Sequence, residues 1–201
     1  MGMDVYGLNP KIHEGTKQPD RPENLHDGAS RNVVDKYFKE VEEYETKNAG
    51  VYFRNNVWWW RPLANFIIEN CDWVTQEQQE RLHDNSGFEF TEDEALSIAD
   101  TLQQKVDDGK AKEREEKNKK DMAVAEKWNK GIQKQQDELE KEVKKATGDA
   151  KIVPYDYPQP FKKKWEDLQG QTDRNASYPF QEANVKEFIC FLRECGGFRV
   201  C

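Results

Sequence analysis

The sequence predicts a mainly α protein of α+β character: a compact helical body, a small sheet made by the two chain ends, and an inserted charged helical arm. Three observations lead there. Apolar residues recur at helical spacing behind recognisable caps. The two ends alternate like short strands. Between Asp107 and Asp149 the composition turns almost wholly polar. The 201 residues suffice for one medium domain or a smaller one with an appendage. Charged residues make up 35% of the chain, above the ~25% of an ordinary globular domain, yet 6 Trp, 7 Tyr and 10 Phe exclude disorder. An aromatic-rich body (1–106 and 150–201) and a polar arm or hairpin (107–149) reconcile the two.

Met3-Asp4-Val5-Tyr6-Gly7 alternates as a short strand and ends at the turn signal Asn9-Pro10. Residues 11–29 read as loop. Ser30 stands where a cap belongs for a helix to Lys47, with Val34, Tyr37, Phe38, Val41 and Tyr44 on one face and Asn48-Ala49-Gly50 as its stop. After the aromatic run Val51–Pro62, Pro62 suits a first helical turn, so a helix is expected from Leu63 to Cys71. Thr75 caps another to His83, closed by Asn85-Ser86-Gly87. Thr91-Glu92-Asp93-Glu94 is a capping box opening a helix with Ala95, Ile98, Ala99, Leu102 and Val106 inward.

In the arm, Ala125, Ile132, Leu139 and Ala146 recur every seventh residue, with Trp128 nearby, but Gln135 and Glu142 make a poor coiled-coil seam. Trp128, Ile132, Leu139 and Val143 are the candidate interface for self-association or a partner; the alternative is a solvated helix laced with i,i+4 ion pairs. The prolines at 154, 158, 160 and 179 predict an extended connection packed on the body. Asn184 is expected to cap a helix with Val185, Phe188, Ile189 and Leu192, ending at Gly196-Gly197. Phe198–Cys201 reads as a last strand, pairing with Met3–Gly7.

The net charge is −8, and the arm holds 12 basic and 12 acidic residues, so the excess negative charge lies on the body. That disfavours a nucleic-acid partner, which rewards neutralised phosphates. No apolar run reaches the ~18 residues of a membrane span, and the first residues lack a leader's basic and apolar regions, so a cytoplasmic setting is expected. Tyr6 stands where a myristoylation motif needs Ser or Thr. Cys71, Cys190, Cys195 and Cys201 form no Cys-x-x-Cys pair, so reduced thiols are expected, with no metal and no cofactor. His13, His26 and His83 have no nucleophile nearby in sequence. No nucleophile elbow, phosphate loop, dinucleotide fingerprint or zinc-protease motif occurs, so no catalytic residue is assigned.

The aromatic segment is the candidate site. Successive residues rotate about 100° on a helix and alternate on a strand, so Trp58, Trp59 and Trp60 cannot all face one core. Arg54, Asn55, Asn56 and Arg61 surround them, and a helix start follows. Indole faces, guanidinium groups and free helix N–H donors together suit a small planar anionic ligand such as a nucleotide. Two other readings stand beside it. The tryptophans are core residues, or they anchor a protein interface with help from the arm. A hydrolase without a recognised motif is a further alternative.

Met1–Pro10, Gly50–Leu63, Tyr178-Pro179-Phe180, Val185–Phe188 and Cys195-Gly196-Gly197-Phe198 resemble a family of phage and bacterial proteins without an established activity. The likeness covers about half the chain. Some members carry a cysteine-rich, zinc-ribbon-like insert where this chain has its arm, and no such cysteines occur here. The resemblance implies a replaceable insertion in a common body. It also implies a phage context, inside a host cell's cytoplasm, in which the protein sequesters a host defence signal or binds and inhibits a host protein.

Overall fold

The computed structural model describes residues 2–25 and 28–201; Met1 of the family-like start and His26 lie outside the described residues. The chain is mainly α with one four-stranded antiparallel sheet built largely from its two ends. In order the elements are β1 (Gly2–Gly7), α1 (Arg31–Lys47), β2 (Tyr52–Asn56), α2 (Val57–Asn70), α3 (Gln76–Arg81), β3 (Glu89–Phe90), α4 (Glu92–Asp107), α5 (Lys110–Thr147), α6 (Phe161–Gly170), α7 (Glu182–Glu194) and β4 (Phe198–Val200). The sheet order is β2-β1-β4-β3. As the alternation predicts, β1 pairs with β4, setting Val5 opposite Val200 and Tyr6 opposite Arg199. Beyond β4, Asp4 and Cys201 exchange backbone hydrogen bonds of 2.9 and 2.8 Å.

Two compact units result, residues 1–115 with 180–201 and residues 116–179. In the first, one sheet face supplies Met3, Val5, Phe53, Phe90, Phe198 and Val200 to the core, packed with Trp60 and Leu63 of α2, Ile98 and Leu102 of α4, and Phe188 and Phe191 of α7. The rings interlock: Trp60 meets Phe188 edge-on at 5.6 Å, and Phe90 stacks on Phe198 at 4.6 Å. Thr91 forms the capping box expected for α4, and Thr75, expected as the cap of α3, forms a second box with Gln78. Ser30 occupies the N-cap position of α1 but makes no side-chain cap bond.

Three stretches of the resemblance meet in this unit. Leu8 and Asn9 donate to the carbonyls of Gly197 and Cys195, and Gly7 donates to Val51. A Cβ on Gly7 would strike the carbonyl oxygens of Gly50 and Cys195, and one on Gly50 would strike that of Glu194. Glycine is there because backbone lies against backbone.

Helix α2 starts at Val57, six residues before the Leu63 start inferred from Pro62, because Asn56 caps it directly at the end of β2. Pro62 is thus inside the helix. Helix α7 opens at Glu182, not at Asn184, whose side chain instead accepts a bond from Asn55.

The second unit is a helical hairpin. The part of α5 from residue 116 onward buries Ala125, Ile132 and Leu139 in one row and Gln136 and Val143 in the next, the alternating three- and four-residue step of a heptad seam. Residues 150–179 of the same chain group with the arm rather than with the body. Tyr157, Phe161, Trp165 and Leu168 pack on Leu139 and Val143. Asn129 exchanges two bonds with the Asp173 backbone, each 2.8 Å. Helix α6 lies where the prolines suggested an extended connection; they bracket it without entering it.

Candidate functional site

The outer face of the sheet follows from strand parity. In β1 and β2, Met3, Val5, Phe53 and Asn55 point inward, so Asp4, Tyr6, Tyr52 and Arg54 point outward. The register puts Asp4 opposite Arg54 and Tyr6 opposite Tyr52. The two tyrosine rings stack at 5.1 Å, and the Arg199 guanidinium lies 5.7 Å from the Tyr6 ring centre. Asp4 accepts a hydrogen bond from the Tyr52 hydroxyl. Burial and that bonded carboxylate push the Tyr52 phenol far above its usual range.

Helix α1 roofs this face without closing it. Its C-terminal end is fixed by the fully buried Asn48. The Asn48 Oδ1 accepts from the His13 amide (2.8 Å) and the Thr16 hydroxyl (3.2 Å), while Nδ2 donates to the Tyr44 carbonyl. Yet α1 buries none of its own residues, and Phe38 is 55% exposed. Between helix and sheet runs a cleft of about 780 Å³ lined by Tyr6, Tyr52 and Arg54 below and by Phe38, Val41, Glu42, Glu45 and Thr46 above. Burial raises the Glu45 carboxyl above its usual value; nearby Arg54 opposes that rise and Glu42 adds to it.

The seven ligand-site residues inferred from sequence are distributed around the body. Arg54 lines the cleft. Asn55 points inward and bonds Asn184 at 3.0 Å. Asn56 accepts from the amides of Trp58 and Trp59 at 3.0 and 3.1 Å, so it satisfies two of the helix-start donors an anion would use. The three indoles diverge as a helix requires: Trp58 is 46% exposed, Trp59 half-buried, and Trp60 sealed in the core with its N–H on the Leu82 carbonyl at 2.6 Å. Arg61 is exposed beside His83, whose pKa is lowered first by burial and then by that guanidinium. Of the seven, Arg54 alone contributes to the cleft.

The inferred interface residues divide similarly. Ile132, Leu139 and Val143 are buried in the second unit, and Trp128, though 55% exposed, donates its indole N–H to the Gln171 carbonyl at 2.8 Å.

Sequence reasoning missed Tyr6, Tyr52, Glu42 and Glu45 as site residues. The parity of β1 was readable and would have put Asp4 and Tyr6 on one face. Among the described residues no helix is long and apolar enough to cross a membrane, and no three His, Cys, Asp or Glu side chains are grouped to hold a metal ion. Comparisons with protein-family models, curated proteins and solved structures find no match.

Proposed function

We propose that this is a non-enzymatic binding protein that takes its ligand in the cleft between α1 and the outer sheet face. The observation that carries the reading is an amphipathic helix held over a sheet while burying none of its own residues. The cleft's volume falls within the ~300–1,000 Å³ of ligand pockets, and it combines aromatic surface with a few charged groups. The family resemblance supports a host molecule as occupant, by analogy alone.

The planar anion expected from sequence needed two arginines and a free helix start acting together. In the cleft Arg54 faces Glu42 and Glu45 instead.

The test is a panel of nucleotides and blocked peptides followed by amide and ring NMR shifts. A saturable ligand should move Tyr6, Tyr52, Arg54 and α1 together, and Val41→Glu should abolish its binding. Saturable binding that maps to Trp58, Arg61 or the second unit, unaffected by Val41→Glu, would refute the cleft as the site.

A further inference from the structure

The charge and shape of this cleft specify its occupant further, on the assumption that the cleft is the binding site. Glu42 and Glu45, three residues apart on α1, line its roof, and Arg54 is the one basic side chain among its lining residues. Asp4 lies on the floor beneath, on the Tyr52 hydroxyl. Against these three carboxylates stand Arg54 and, over Tyr6, Arg199, so acidic groups outnumber basic ones by one and the cavity favours positive charge. The body around it carries the chain's whole negative excess, which steers cationic partners toward it. Burial already disfavours ionisation of Glu45, a strain that a cation seated beside it would relieve.

The same face shows what such a cation would do. Arg199 lays its guanidinium over Tyr6, an arrangement available in turn to the neighbouring Tyr52 ring. Arginine suits the site better than lysine, because its planar group stacks on a ring and pairs with carboxylates through two N–H donors at once. A polypeptide suits it better than a free small cation. The cleft is far larger than one guanidinium, and Phe38 and Val41 offer apolar wall for flanking side chains. Strand β2 is an edge strand, so it has a backbone edge for an extended segment to pair with.

We infer that the cleft receives an arginine side chain of an extended partner polypeptide, held between Glu42, Glu45 and the tyrosine floor.

The probe is a blocked pentapeptide with a central arginine between valines, compared with versions carrying citrulline or glutamate there, at 0.15 M salt. Citrulline keeps the shape and removes the charge. Binding should be saturable for the arginine peptide, about tenfold or more weaker for citrulline, and weaker still for glutamate. Glu42→Gln with Glu45→Gln should weaken the arginine peptide about tenfold or more. Glu116→Gln with Glu126→Gln, exposed in the second unit and equal in net charge, should leave it unchanged. Arginine methyl ester should bind more weakly than the peptide; equal binding would overturn the polypeptide assignment.

Equal binding of citrulline and arginine peptides, or equal loss in both double variants, overturns the inference. If the glutamate peptide binds best and moves Tyr6 and Tyr52, the arginine assignment fails while the cleft remains the site. If no peptide binds at millimolar concentration, the assignment fails, and the cleft is then judged on the nucleotide panel.

Discussion

Replacing Trp60 with Phe isolates the one tryptophan of the three that belongs to the interior. Two losses add. The Leu82 carbonyl, on a residue with no exposure, loses the indole N–H that reaches it at 2.6 Å. An orphaned buried polar group costs about 1–3 kcal/mol. The smaller ring also leaves roughly 40 Å³ empty, which at ~24 cal/mol per Å³ is about 1 kcal/mol. The sum is about 2–4 kcal/mol. Trp58→Phe, at a half-exposed position, should cost less than about 1 kcal/mol. Because the chain has two compact units, a single melting curve mixes them. Hydrogen exchange measured by mass spectrometry in increasing urea, read on peptides from α2 and α7, reports the first unit alone. Equal losses at positions 58 and 60, or a loss under ~0.5 kcal/mol at 60, would refute this account of the tryptophan run.

Three more outcomes follow from the same packing. Gly50→Ala should cost about 3 kcal/mol or more, since its methyl meets the Glu194 carbonyl and lies 2.8 Å from the Cys195 nitrogen, neither of which can swing aside as a side chain would; urea midpoints of the first unit measure it. Glu45→Gln should stabilise the protein at pH 7. The folded-state carboxyl binds its proton more tightly than the usual 4.5, so its contribution is most favourable at low pH and is lost as pH rises through the raised value. The gain over wild type should therefore shrink as pH falls through the raised value and vanish below 4.5, as melting temperatures across pH 3–7 would reveal. Finally, Cys190 is exposed, whereas burial pushes the thiols of Cys71 and Cys195 up to about 11 and 12. At pH 8 a disulfide reagent should modify Cys190 first and reach Cys71 and Cys195 only on unfolding.

The elements that the sequence disclosed are those fixed by local chemistry. Thr75-Gln78 and Thr91-Glu94 are reciprocal caps that any reader of the chain can find, and the alternation at the two ends pairs β1 with β4. Strand β2 escaped notice because its five residues run straight into a helix, with Asn56 ending one and capping the other. Rotation along a helix showed that the indoles must diverge, but which one turns inward depends on Leu82 and Phe188, distant in sequence. The cleft was hidden for a related reason. Tyr6, Glu45, Tyr52 and, beside them, Arg199 come from four separate segments, and no spacing within any of them announces the others. In the hairpin, Ala125, Ile132 and Leu139 were visible as a repeat, while the cover of Leu139 lay behind a proline-rich stretch that concealed α6.

The central position of β1 has a consequence for the order in which the molecule is made. Its partner on one side, β2, leaves the ribosome soon after it, but its partner on the other side, β4, follows every other described element. Until then β1 offers an open row of amides and carbonyls, and its inward residues Met3 and Val5 wait for the rings of α7 and β4. The nascent chain must therefore carry an adhesive edge from the emergence of β1 until that of β4, and the body matures only after β4 has joined it.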